Sequence, residues 1–162
     1  MEIQLTSFLE EYISDLPVSM QEGKIQKLTY SDNLTKISFY LTFPNLVSAE
    51  EVFQLEHKLE HVLEIETVRF HPKFPKEAFQ ISYFSDIFAF LKRELTIVNG
   101  FFDGADVTLE NSILHIQLKN GGYQILMRYH VTEYLQQLLN RLFQLSLQVK
   151  IDGEDEVPAD DF

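Results

Sequence analysis

The chain has 162 residues, enough for one ordinary domain or two small ones. It carries 25 acidic against 13 basic side chains, a formal net charge of −12, with 14 Phe and neither Trp nor Cys. That composition excludes disulfides and Cys-type zinc sites. It also disfavours direct nucleic-acid binding, whose affinity comes from Lys and Arg displacing counterions.

Leu5, Leu9 and Tyr12 at helical spacing predict a first helix over 3–15, ended by Leu16-Pro17. Over 24–31 a short alternation places Leu28 and Tyr30 on one face of a strand, and Ser31-Asp32-Asn33 reads as a turn. Ile37, Phe39, Leu41 and Phe43 alternate with Ser38, Tyr40 and Thr42, which is the pattern of a half-buried strand. Ser48, with Glu51 three residues later, forms a capping box, and Val52, Leu55, Leu59 and Val62 then supply the buried stripe of a helix. Residues 65–70 are β-rich and stop before Pro72. The order is α-β-β-α-β.

His71-Pro72-Lys73-Phe74-Pro75 marks a boundary, because two prolines stiffen the chain and remove backbone donors. One long helix is expected over 76–96, followed by a loop with two glycines, Gly100 and Gly104. Val107 and Leu109 predict a short strand, Glu110-Asn111-Ser112 a turn, and Leu114, Ile116 and Leu118 the next strand. Gly121-Gly122 opens a helix to about residue 143, with Val131, Leu135, Leu138 and Leu142 buried. Leu145, Leu147, Val149 and Ile151 alternate as a last strand. The second half repeats α-β-β-α-β. The fold expected is therefore α+β, two tandem units, each a three-stranded sheet with helices on one face. The divisions are 1–72, a linker at 73–77, a second unit at 78–152, and an acidic, disordered tail at 153–162. No apolar run reaches the roughly 18 residues of a membrane span. Met1-Glu2-Ile3-Gln4 lacks the basic and apolar regions of a signal peptide, so a cytoplasmic location is expected.

Reactive constellations are sparse. His57 and His61 stand at i, i+4 with Glu64 three residues beyond, a spacing able to present zinc ligands, but the string lacks H-E-x-x-H and reads equally as a solvated face. Asp103 and Asp106 flank a glycine loop and serve a turn as readily as a divalent ion. No catalytic, metal or cofactor site is expected. The segment 76–96 is apolar on all sides when drawn as one helix, so it is either sandwiched between the halves or turned towards a partner. Phe84, Phe88, Phe101 and Phe102 are the candidate partner-binding residues, because aromatic side chains anchor interfaces.

Gly23-Lys24-Ile25-Gln26-Lys27-Leu28-Thr29 and Lys36-Ile37-Ser38-Phe39-Tyr40-Leu41-Thr42-Phe43 resemble the opening of PolC-type DNA polymerase III alpha subunits of Gram-positive bacteria. The element order and length are similar to the two N-terminal domains of that family, which precede an OB-fold, a PHP domain with an inserted exonuclease, and the polymerase. The resemblance implies a non-catalytic interaction module of the replisome, with a KH-like second domain and the clamp-loader tau subunit as leading partner. The alternative is a KH-like module for single-stranded nucleic acid. Lys119-Asn120-Gly121-Gly122 departs from the G-x-x-G loop of such modules in spacing and context.

Overall fold

Two β-sheets, one of four strands and one of three, organise the chain in the computed structural model, which describes residues 2–153. Each sheet belongs to its own compact unit, Met1–Phe79 and Gln80–Phe162. The architecture is α+β, built from two tandem small units. Of the tail expected at 153–162, only Gly153 is among the described residues, and it packs against Leu118.

The first unit runs β1 (Ile3–Gln4), α1 (Leu5–Leu9), β2 (Lys24–Tyr30), β3 (Lys36–Thr42), α2 (Ala49–Leu63) and β4 (Thr67–Lys73), with sheet order β1-β2-β3-β4. The three-stranded expectation is corrected here. Ile3 and Gln4 are not helical but pair antiparallel with Ile25 and Lys24. The helix is short because no side chain caps its start, and Thr6 and Ser7 are weak helix formers. Its buried residues continue as Leu5, Leu9 and Ile13, while Tyr12 is exposed.

Phe39 and Phe70 pack tilted against each other across the β3–β4 pair, 5.0 Å between centroids, and Phe8 of α1 meets Phe39 edge-on at 5.6 Å. Helix α2 is capped as expected: the Glu51 amide donates to Ser48 Oγ at 3.1 Å. Val52, Leu55 and Leu59 are buried, but Val62 is exposed beside the left-handed C-cap Glu64.

Strands β3 and β4 run parallel, and β4 passes through Pro72 instead of stopping before it. Lys73 bonds towards β3 through its carbonyl, so 67, 69, 71 and 73 face the partner strand while 68, 70 and 72 face outward. The outward amide of Val68 donates to Glu60 Oε2 at 2.9 Å and that of Phe70 to Glu56 Oε2 at 2.7 Å. Pro72 has no amide to satisfy, which suits an edge strand. Phe74 is buried and stacks on Phe43, and Lys76–Ala78 form one 3₁₀ turn, so the expected linker segment packs as part of the first unit.

The second unit runs α3 (Phe84–Glu94), β5 (Asp106–Glu110), β6 (Ile113–Gln117), α4 (Tyr123–Arg128), α5 (Val131–Phe143) and β7 (Gln148–Asp152). Strands β5 and β6 form an antiparallel hairpin, and β7 joins β6 in parallel. Asn111 and Ser112 both take positive φ, 54° and 63°, making the type I′ turn that matches strand twist.

The long helix expected over 76–96 does not exist. Phe79 and Gln80 are extended, Ile81–Tyr83 form a 3₁₀ turn, and α3 begins only at Phe84. The impression of an all-round apolar helix came from joining these pieces; α3 buries one stripe, Phe84, Ile87, Phe90 and Leu91. Likewise the helix expected to about 143 is two, broken where His130 takes φ 56°. The last strand begins at Gln148, leaving Leu145 and Leu147 half-buried ahead of it. Glu94 ends α3 and receives Arg141 Nη2 of α5 at 2.8 and 2.6 Å, together with the Tyr134 hydroxyl, tying α3 to α5.

Candidate functional site

Three of the four aromatic residues singled out above, Phe84, Phe88 and Phe102, converge beside one open sheet edge. Phe88 stacks on Phe102 with centroids 4.5 Å apart and planes 12° apart, and Phe84 lies tilted against Phe88 at 5.4 Å. A groove of about 440 Å³ runs over this cluster, bounded by Ile81, Ser85 and the 103–107 segment that leads into β5. Phe84 and Phe102 are buried floor residues, Phe88 is half-buried in the wall, and Ile81 is exposed at the rim. Phe101 stands apart from the groove. It is half-buried against Gly122, where a Cβ would lie 2.4 Å from its ring. Of the pair Phe101-Phe102, neither is fully exposed, because one fills the floor and the other closes over the glycine turn.

The edge beside the groove is unsatisfied. The Glu110–Ile113 pair closes the two-residue turn, so β5 bonds β6 through 106, 108 and 110 and aims the amides of Val107 and Leu109 outward. Among the described residues no side chain takes either amide, and Leu109 is 40% exposed. On the opposite edge of the same sheet, Gln136 of α5 accepts one outward amide, that of Val149, at 2.8 Å. Asp103, Asp106 and Glu110 are exposed along the open side, and Asp106 is paired with Lys119 at 3.0 Å. Behind the groove, burial raises the Tyr83 hydroxyl well above the ordinary phenol value, helped by the Asp86 charge, so this residue stays neutral and packs edge-on to Phe143.

The other candidates do not assemble. His57 is exposed and meets Glu60 at 3.2 Å, and among the described residues no group of three or more His, Asp or Glu is placed to hold a metal. Asp103 belongs to a loop tied by Asn120, whose Nδ2 donates to the Asp103 carbonyl at 2.9 Å. Gly121 and Gly122 take φ of 72° and 88° between β6 and α4, where they form a tight strand-to-helix turn. Sequence reasoning missed the open β5 edge, because edge position depends on strand order.

Residues 5–71, from α1 into β4, match the family model for the DNA polymerase III polC-type N-terminus I. The first unit is thus similar to the N-terminus of PolC-type DNA polymerase III. The region matched is an N-terminal one of that polymerase. No curated protein and no solved structure matches the chain. Among the described residues, no helix is long and apolar enough to cross a membrane.

Proposed function

We propose that this PolC-type N-terminal segment is a non-catalytic interaction module of the cytoplasmic replisome, and that a protein partner docks on the second unit by adding an extended segment to β5. The observation that carries the reading is the asymmetry of that sheet: helix α5 offers Gln136 to the Val149 amide of β7, while β5 leaves two outward amides beside an aromatic groove. Strand addition draws affinity from backbone bonds and specificity from alternate side chains entering pockets. An incoming strand here places apolar side chains over Ile81 and Phe88, and basic ones beside Asp103 and Glu110. The clamp-loader tau subunit is the partner that the family resemblance favours. A KH-like reading of the second unit belongs to the same proposal, supported by the order α3-β5-β6-α5-β7.

The test is calorimetric titration of the full chain with purified tau, beside Leu109→Pro and Phe88→Ala variants. Proline at 109 removes an outward amide without touching the β5–β6 bonds. Each substitution is expected to weaken tau binding at least about tenfold, equivalent to about 1.4 kcal/mol. Undiminished binding by both variants places the partner elsewhere; no binding by the unaltered chain removes tau.

A further inference from the structure

The open face of the first sheet carries a charge opposite to that of the chain. Register fixes its membership: Lys27 lies opposite Tyr40 and Tyr40 beside His71, Lys24 pairs with Thr42 and Thr42 with Lys73, Thr29 pairs with Ser38 and Ser38 with Arg69, and Lys36 pairs with Thr67. The helix-covered face is the other one, occupied by Ile37, Phe39, Leu41, Val68 and Phe70. Of the seven Lys and Arg residues in the first unit, Lys24, Lys27, Lys36, Arg69 and Lys73 stand on this face, leaving only Lys58 and Lys76 elsewhere. None of its strand positions is acidic. Among the described residues, carboxylates meet it at its margins, Glu60 at 3.8 Å from Arg69, and Glu2 and Glu22 in a hollow shared with Lys24. Lys27, Lys36 and Lys73 are exposed.

The centre of the face is aromatic. Tyr40 stacks on His71 at 4.7 Å with an 18° interplanar angle, and the Lys27 ammonium lies 5.3 Å over the Tyr40 ring. Lys27 is an exposed cover on that stack, and its long side chain can reach a phosphate while a base takes its place on Tyr40. Cations surrounding an aromatic platform are the combination that holds single strands, through backbone charge and sequence-tolerant stacking. The chain's net charge of −12 does not oppose this. At 0.1 M salt the screening length is about 10 Å, so acids on the far side of the unit act weakly at the face.

We propose that this sheet face is a binding site for single-stranded nucleic acid. It is independent of protein docking at β5.

The experiment is fluorescence anisotropy with the full chain, using labelled oligothymidylate and oligouridylate of about 16 nucleotides, across a salt series. Binding that weakens with salt is expected, and the combined Lys27→Gln, Lys36→Gln and Lys73→Gln variant should lose at least tenfold in affinity. Its logarithmic salt slope should fall by about two, since each single-strand phosphate contact contributes about 0.7. Tyr40→Leu should cost about tenfold while leaving the slope unchanged. Lys58→Gln with Lys76→Gln, off the face, should change nothing. Preference between the two oligonucleotides tells DNA from RNA as the source of the strand. The proposal is overturned by absent binding at about 50 mM salt, by equal losses from the off-face pair, or by equal capture on phosphatidylserine vesicles insensitive to Tyr40→Leu. Melting curves of the exposed-lysine variants, expected to match the parent, separate loss of binding from loss of fold.

Discussion

Glu56, a buried carboxylate of α2, accepts the outward amide of Phe70 in β4 at 2.7 Å. With Glu60 on Val68 and proline at 72, it closes the edge of the first sheet against another strand. A buried carboxylate is expensive to desolvate, so its retention makes sense where it satisfies a backbone donor that no strand can reach. Gln136 takes the Val149 amide of β7 in the second unit in the same way, with a helix following the hairpin in each case.

Replacing Glu56 by Leu leaves the Phe70 amide buried without that acceptor, and a loss of about 2–3 kcal/mol is expected in urea unfolding. Glu56→Gln keeps an acceptor and should cost less than half as much. Equal losses for both variants would mean that the charge, rather than the bond to Phe70, holds the strand.

The Gly121-Gly122 turn makes a second, separate demand on sequence. Gly122 has φ 88°, and an added Cβ would meet Phe101 at 2.4 Å. Gly122→Ala is expected to destabilise by about 1–3 kcal/mol, from left-handed strain and displacement of the Phe101 ring. Gly104, also at positive φ but with open space around it, should show the strain alone and so a smaller melting shift on replacement by Ala.

Local patterns were legible wherever one residue set met one element. Ser48 and Glu51 announced the start of α2, and Ile37, Phe39 and Leu41 announced β3. Features that depend on partners were not. Ile3-Gln4 looks helical until β2 is there to pair with it. The segment 76–96 reads as one apolar helix because Tyr83 of a 3₁₀ turn and the buried stripe of α3 follow one another, and nothing local marks Phe79 and Gln80 as extended. At the candidate site, the aromatic cluster of Phe84, Phe88 and Phe102 was visible as composition, but which ring is floor and which is wall follows from the turn of 99–105. Summing charge over the chain hid the basic sheet face, because alternation along three strands sorts Lys27, Lys36, Arg69 and Lys73 to one side only once register is known.

The tie between α3 and α5 carries a pH dependence whose sign is fixed. Burial pushes the Glu94 carboxyl up, but hydrogen bonds from Arg141 and Tyr134, with the charges of Arg141 and Arg93, overcome it and hold the group below the ordinary carboxylate range. A lowered value in the folded state means the unfolded chain binds the proton more readily. The stabilisation is therefore complete above the ordinary value, about 4.3, and is lost as pH falls through the lowered one. Glu94→Gln should cost about 1–2 kcal/mol at neutral pH, as a charge-assisted pair becomes neutral and Arg141, itself 40% exposed, turns to solvent. The same variant should lose less further stability than the parent on acidification below about pH 4.5, as read by melting in a buffer series. Tyr134→Phe removes one donor and leaves Arg141 in place, so it should show a smaller neutral-pH loss and keep most of the acid sensitivity. Parallel acid profiles for the parent and Glu94→Gln would assign the sensitivity to other carboxylates.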